Sequence, residues 1–327
     1  MTRRPAAVWF LLSAVALAAC SSETSVGTQP AAYAPPVVQI RGEPDYLALG
    51  DSIAFGYRPA PWADYRDQAD FSGYPEDLAT ALKLNLVNAA CPGETSAGMI
   101  NSSAPSNGCE TNARGGPGYR AMFPLHVSYR GSQLSFALHY LQQHPDTRLV
   151  TLGIGGNDLF RCQEVTADHC GGPDLDSTLA ETTSNLDTIL GALRNQAHYQ
   201  HTLVVLTYYA EKYADPASIT PIEALNAAIA GPAARHGAVL ADGFAAFGAA
   251  AAQDGGDTCA AGLRVKLASG GCDLHPSARG AQVLATAIQE AIGVPTRRLP
   301  RPPRSCAPGP APEPTLSARP RSRRRPG

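Results

Sequence analysis

Residues 45–293 predict an α/β protein, with a parallel sheet covered by helices on both faces. Strand-like and helix-like segments alternate along them, Gly-rich or Pro-rich punctuation separates many of the segments, and polar blocks follow the strand candidates. The crossovers of such a sheet are right-handed, and its ligands bind beyond the carboxyl ends of the strands, at a topological switch point. The informative residues are therefore expected just after strands.

The first strand candidate, Tyr46–Leu49, is mostly β-forming and suits a buried parallel strand; it runs out in the tight polar turn Gly50-Asp51-Ser52. A helix over Gly73–Lys83 and a strand over Asn85–Asn88 follow, and this strand leads into the block NAACPGETS, which holds Gly93. Residues 101–120, NSSAPSNGCETNARGGPGYR, exceed an ordinary connection, which makes them either a wall of a substrate site or a floppy loop. A helix over Gln133–Gln143 precedes the strand Arg148–Ile154, which ends in Gly155-Gly156-Asn157-Asp158. The helix Asp176–Asn195, strand Thr202–Tyr208, helix Pro221–Arg235 and strand Ala238–Ala241 continue the alternation. A fourth block, CDLHPSARG with His275, stands just before the last helix candidate, Ser277–Ile292.

The chain is 327 residues long, 44% hydrophobic and 17% charged, enough to bury the core of one α/β domain with appendages at both ends. It has no internal repeat. Its N-terminus, MTRRPAAVWFLLSAVALAAC, has two arginines before a short apolar run, which reads as an export signal and not as a membrane span. Its last four residues, Leu17-Ala18-Ala19-Cys20, resemble the bacterial lipobox, in which the cysteine is diacylated and becomes the first mature residue; the alternative is an ordinary signal cut near Ala19. Two acyl chains bind a bilayer firmly, since each buried CH₂ contributes about 0.8 kcal/mol. Residues 21–44 then read as a Ser/Thr/Pro/Ala-rich linker.

Charge is unevenly spread. The segment from Val294 onward holds nine Arg and one Glu, whereas residues 21–293 hold 15 basic and 27 acidic residues. An acidic body argues against nucleic acid as a partner. The Pro/Arg-rich tail, 294–327, has few apolar side chains to offset the entropy of ordering and is expected to be disordered. Eight cysteines in an exported chain suggest disulfides. With Cys20 and Cys306 set aside, six remain as sequence neighbours, so that Cys91/Cys109, Cys162/Cys170 and Cys259/Cys272 are the simplest pairs. There is no CxxC and no histidine cluster at ligand spacing, so a metal site is not expected.

The blocks carry the chemistry of acyl transfer. A hydroxyl needs an adjacent base to be a nucleophile at neutral pH, and the tetrahedral intermediate needs preorganised donors. Ser52 offers the hydroxyl, His275 the base, and the amides of Ser52 and Gly93 with the Asn157 side chain the donors. Gly93 has no Cβ to keep its N–H from a substrate. Asn157 and Asp158 also suit plain helix capping, and the aromatics Phe55, Tyr57, Trp62 and Tyr65 either line an acyl pocket or pack a loop.

Taken in order, Gly50-Asp51-Ser52, Gly93, Gly155-Gly156-Asn157-Asp158 and His275-Pro276 resemble the SGNH (GDSL) hydrolase superfamily over about residues 45–292. The G-x-S-x-G elbow of the α/β-hydrolases is absent, because position 54 is Ala. The resemblance implies a three-layer, flavodoxin-like α/β/α sandwich whose five-stranded parallel sheet runs in the order 2-1-3-4-5. It also implies ester hydrolysis through an acyl-serine intermediate, without metal or organic cofactor. The family's last block is usually Asp-x-x-His, but Cys272 stands three residues before His275, and Asp273 comes one residue later. Two outcomes stay open: the Asp273 carboxylate orients the imidazole through a shifted loop, or the Cys272 main-chain carbonyl does. The expectation is an exported, monomeric serine esterase or lipase, acting on a small-molecule or lipid ester at the outer face of the cell membrane or secreted. The alternatives are a carbohydrate or peptidoglycan O-deacetylase and an inert cell-envelope binding protein.

Overall fold

The computed structural model describes residues 43–294. The expected signal peptide with Cys20, nearly all of the expected linker, Cys306 and the segment beyond Val294 lie outside the described residues. Strand β1 (Asp45–Gly50) leads into a single helical turn, α1 (Ser52–Phe55); α2 (Tyr74–Leu82) and β2 (Asn85–Asn88) follow. Short helices α3 (Ser96–Ile100) and α4 (Tyr119–Met122) flank the long loop, and α5 (Gln133–Gln143) precedes β3 (Leu149–Gly153). Then come α6 (Gly156–Val165), α7 (Gly172–Asn195), β4 (Thr202–Leu206), α8 (Pro216–Arg235), β5 (Val239–Ala241) and α9 (Gly243–Ala251). A hairpin of β6 (Arg264–Lys266) and β7 (Cys272–Pro276) closes the series before α10 (Ala278–Ala291).

The five main strands form one parallel sheet in the order β2-β1-β3-β4-β5. All five expected strands are present, within a few residues of their expected ends. Successive side chains of a strand point to opposite faces, so a sheet covered on both sides needs apolar residues at nearly every position. Strand β1 shows this: Tyr46 to Leu49 are all fully buried. Leu47 and Leu49 join Leu141, Leu186 and Ile229 of α5, α7 and α8 in one core, while Tyr46 and Ala48 join Leu78, Phe247 and Leu284 of α2, α9 and α10 in the other. The Tyr46 hydroxyl is satisfied inside its core by Thr151 Oγ1 at 2.7 Å.

Some element limits differ from expectation. Helix α8 begins at Pro216, where Asp215 caps the Ala217 amide, and continues through Pro221. The start signal was the Asp cap followed by Pro at the first helical position. Helix α7 likewise begins at Gly172, with Pro173 in its first turn. Helices α6 and α9 and the β6–β7 hairpin were not expected from the sequence. The three neighbouring cysteine pairs are the three disulfides, Cys91–Cys109, Cys162–Cys170 and Cys259–Cys272. Among the described residues no helix is long and apolar enough to cross a membrane.

Candidate active site

Because β1 lies between β2 and β3, the blocks that follow these three strands come together at one sheet edge. Ser52 sits on the turn after β1. Gly50 holds φ at +138°, and a Cβ there would meet the Gly153 carbonyl oxygen at 2.2 Å, so only glycine fits beside β3. The buried Gln133 side chain clamps this turn, accepting the Gly50 N–H at 2.6 Å and donating to the Gly50 carbonyl at 2.9 Å. The Asp51 carboxylate caps the Ile53 amide and accepts a 2.5 Å bond from the Tyr208 hydroxyl. Burial pushes the Asp51 carboxyl up to about 6, against the lowering effect of that tyrosine.

His275 arrives from β7. Its Nε2 lies 2.9 Å from Ser52 Oγ, and its Nδ1 lies 2.5 Å from Asp273 Oδ1. With the ring proton on Nδ1 facing the carboxylate, Nε2 is free to accept from the serine hydroxyl. Asp273 therefore stands where the sequence left a choice between its side chain and the Cys272 carbonyl. Burial raises the Asp273 carboxyl, but the Nδ1 bond and the His275 amide outweigh it, and the group stays below its ordinary range. Several ties hold the strand: the Cys259–Cys272 disulfide, the Tyr209 hydroxyl on the Leu274 carbonyl at 2.7 Å, and Arg264, which bonds Glu211 at 2.6 Å and reaches the Asp273 carbonyl at 3.4 Å.

The expected oxyanion donors flank Ser52. Gly93 has φ +80°, and a Cβ on it would lie 2.3 Å from Gly108 Cα. It is glycine because another loop packs on it, a different reason from the open approach to substrate that the sequence suggested. Asn157, 7% exposed, places Nδ2 3.4 Å from Asp51 Oδ2, and its Oδ1 accepts from Asn107 Nδ2 at 3.0 Å. Asp158 does not cap its own helix. Its carboxylate crosses to α3 and accepts from the Ser96 amide at 2.9 Å and the Ser96 hydroxyl at 2.5 Å. Burial pushes this carboxyl up to about 6.

Ser52, His275, Gly93 and Asn157 line a cleft of about 1070 Å³. One wall is a row of rings that starts at the imidazole. Tyr57 lies 4.7 Å from the His275 ring, Tyr65 5.7 Å from Tyr57, Phe123 5.2 Å from Tyr65, and Trp62 4.7 Å from Phe123. The Tyr57 and Tyr65 hydroxyls bond each other at 3.0 Å, and the two rings stack on each other and on Phe71. Trp62, 61% exposed, and Met122, 47% exposed, stand at the mouth. Phe55, for which the sequence left pocket lining and loop packing both open, is fully buried and packs the loop. Among the described residues, the cluster spaced for a metal ion is Cys91, Glu94 and Cys109; its two sulfurs are bonded to each other, which leaves a single carboxylate.

The family model of the GDSL-like lipase/acylhydrolases matches residues 48–283, most of the chain. The chain belongs to this GDSL-like lipase/acylhydrolase family. As a family member it is a carboxylic ester hydrolase, and the matched span carries every block named above. No curated protein matches the chain. Among solved structures, the extracellular lipase from Streptomyces rimosus is similar at 20% identity and TM-score 0.50, covering 76% of this chain and 99% of that one. An acetylxylan esterase from Geobacillus stearothermophilus is similar at 18% identity and TM-score 0.48, over 78% of this chain and 99% of that one. An α/β hydrolase enzyme from the metagenome of Lake Arreo, Spain, is similar at 18% identity and TM-score 0.49, over 77% and 96%. At 20% identity the likeness to the Streptomyces rimosus lipase bears on fold alone.

Sequence reasoning missed several residues that shape the site of this GDSL-like hydrolase. Gln133, Asn107, Tyr208 and Arg264 carry no motif, and each acts across at least nine residues of chain. Asn107 had a partial signal, since it belongs to the overlong loop 101–120.

Proposed function

We propose that Ser52, His275 and Asp273 form the catalytic triad of this ester hydrolase, with the Ser52 and Gly93 amides and the Asn157 side chain as its oxyanion hole. The observation that carries the reading is the continuous chain Ser52 Oγ–His275 Nε2 and His275 Nδ1–Asp273 Oδ1, at 2.9 and 2.5 Å, opening on the cleft. Ser52 Oγ attacks the ester carbonyl carbon as its proton passes to Nε2. The carbonyl oxygen, now negative, is held by the three donors. The C–O bond to the alcohol breaks, and the imidazolium returns its proton to the departing oxygen. Water then attacks the acyl-serine with the same base, releasing the carboxylic acid and restoring the Ser52 hydroxyl.

The ring wall from Tyr57 to Trp62 supports an ester with an extended apolar chain as substrate: Tyr57, Tyr65, Phe123 and Trp62 all line the cleft in a row that starts at the imidazole, with the tyrosine hydroxyls bonded to each other. The three disulfides mark a protein matured in an oxidising compartment. The Leu17-Ala18-Ala19-Cys20 sequence supports a lipid anchor that holds the protein on the outer face of the cell membrane.

Fluorophosphonate labelling with the modified residue mapped by mass spectrometry tests the centre. We expect the label on Ser52, and Ser52→Ala to lose both labelling and hydrolysis of a short p-nitrophenyl ester. A Ser52→Ala protein that kept the parent's rate would end this assignment. For the wall, Trp62→Ala and Phe123→Ala should lower kcat/KM for long-chain esters and spare acetyl esters. An unchanged chain-length profile would remove the wall from the substrate path. Cys20→Ala should release the protein from membranes into the medium.

A further inference from the structure

The long loop 101–120 reaches into the site through one side chain. We infer that Asn107 is a positioning residue whose side chain sets the Asn157 oxyanion donor, an inference that rests on the oxyanion hole proposed above. Its main-chain N–H donates to the Gly93 carbonyl at 2.8 Å. Its side-chain Nδ2 donates to Asn157 Oδ1 at 3.0 Å. One residue thus bonds the block after β2 and the block after β3, which the Ser96–Asp158 bonds also join, at a point next to the proposed donors.

Two partners fix which way the Asn157 amide faces, the Asn107 NH₂ on its oxygen and the Asp51 carboxylate on its nitrogen. An Asn side chain has an acceptor edge and a donor edge, and its orientation follows from its partners. Asn107 offers an N–H, so Asn157 must turn Oδ1 toward it. The Asn157 NH₂ is then directed to Asp51, at 3.4 Å, and to the Ser52 side of the cleft. With the amide reversed, its oxygen would face both the Asp51 carboxylate and the developing oxyanion. A donor that is held before the charge appears costs no reorganisation in the transition state.

Asn107 is itself firmly placed. The neighbouring Gly108 packs on Gly93 so closely that no Cβ fits between them, and the next residue, Cys109, is bonded to Cys91. On its other side Ser106, fully buried, donates to the Thr111 carbonyl at 2.6 Å and accepts from the amides of Glu110 and Thr111. The loop before it is tied by the Thr95 hydroxyl on the Pro105 carbonyl at 2.9 Å. The loop is therefore a rigid brace that ends on the oxyanion hole.

The test uses the full-length protein and a short p-nitrophenyl ester, with Asn107→Ala and the near-isosteric Asn107→Asp. Asn107→Ala should lower kcat about ten- to a hundredfold with KM changed little, less than the ~10²–10³ that loss of a donor itself costs. Asn107→Asp should cost at least as much, because a carboxylate accepts where Asn107 donates. In the Asn157→Ala background, Asn107→Ala should add almost nothing, since the amide it orients is gone. A purely structural role predicts instead a loss of similar size in both backgrounds, with a lowered Tm, and that result would overturn the inference. So would parental kcat in both single variants. Should Asn107→Ala fail to fold, Asn107→Asp decides on the same criteria. If the parent itself does not label at Ser52, the underlying site assignment fails; if it labels and the Asn107 variants are unimpaired, only this inference fails.

Discussion

Asp273 and His275 stand two residues apart on an extended strand, so their side chains leave β7 on the same side. That periodicity turns an Asp-x-His spacing into a usable pair where Asp-x-x-His is the commoner pattern. Asp273→Ala should therefore lower kcat by about 10⁴, the size expected when the carboxylate of such a triad is neutralised, measured on a short ester. A mild loss would return the orienting role to the Cys272 carbonyl. The lowered Asp273 carboxyl also has a thermodynamic side. Its contribution to stability is present above the unfolded carboxylate value of about 3.9 and is lost only as pH falls through its lower folded value. Glu94, next to Gly93, runs the other way. It is almost fully buried, its Oε1 has no partner, and burial, then the nearby Glu110, push its carboxyl up to about 8. The unfolded chain releases this proton near pH 4.3 and the folded chain holds it to about 8. Stability must then fall with rising pH between those limits. Glu94→Gln should raise Tm near pH 8 and change it little near about pH 4; equal shifts at both, by thermal melts, would refute the buried neutral acid.

The elements were legible to the degree that their signals are local. Strands β1 and β3 read clearly because both faces are buried and the apolar runs are continuous. Helix α5 spans the expected residues, Gln133–Gln143. The β6–β7 hairpin did not read, since its strands are short, irregular in register and separated by Gly-rich turn residues. Its position is set by long-range ties, of which the Cys259–Cys272 disulfide closes a loop of 13 residues. Replacing both cysteines with serine should destabilise the protein by about 2–4 kcal/mol, read from denaturant melts. An unchanged midpoint would mean that Arg264 and Tyr209 alone hold β7. Helix α8 shows how a correct local rule can be applied at the wrong place. Pro221 resembles a helix start, yet the capping pair is Asp215-Pro216, one turn earlier. The extra turn matters for the site, because Ala217, Ser218 and Pro221 line the cleft.

At the scale of the molecule, one sheet separates two cores, and both must form for the β1–β2–β3 edge to exist. Leu152 on β3 is fully buried in one of them. Leu152→Ala should cost about 2–5 kcal/mol through lost burial and the cavity left behind. Fluorescence and circular dichroism should follow one coincident transition, while separate transitions would show that the two cores fold independently.

Sequence alone determined the alternation of strands and helices and the serine, glycine, asparagine and histidine blocks, and made the neighbouring cysteines the simplest pairs. All of these are read from residues close together in the chain, through side-chain periodicity and turn chemistry. Tertiary structure decided what distant segments do to one another: that Asp273 reaches Nδ1, that Gly93 is glycine because Gly108 packs on it, that Asn107 joins two blocks, and that five rings line up into one wall. Such contacts depend on distances across the fold, and no local spacing in the chain encodes them.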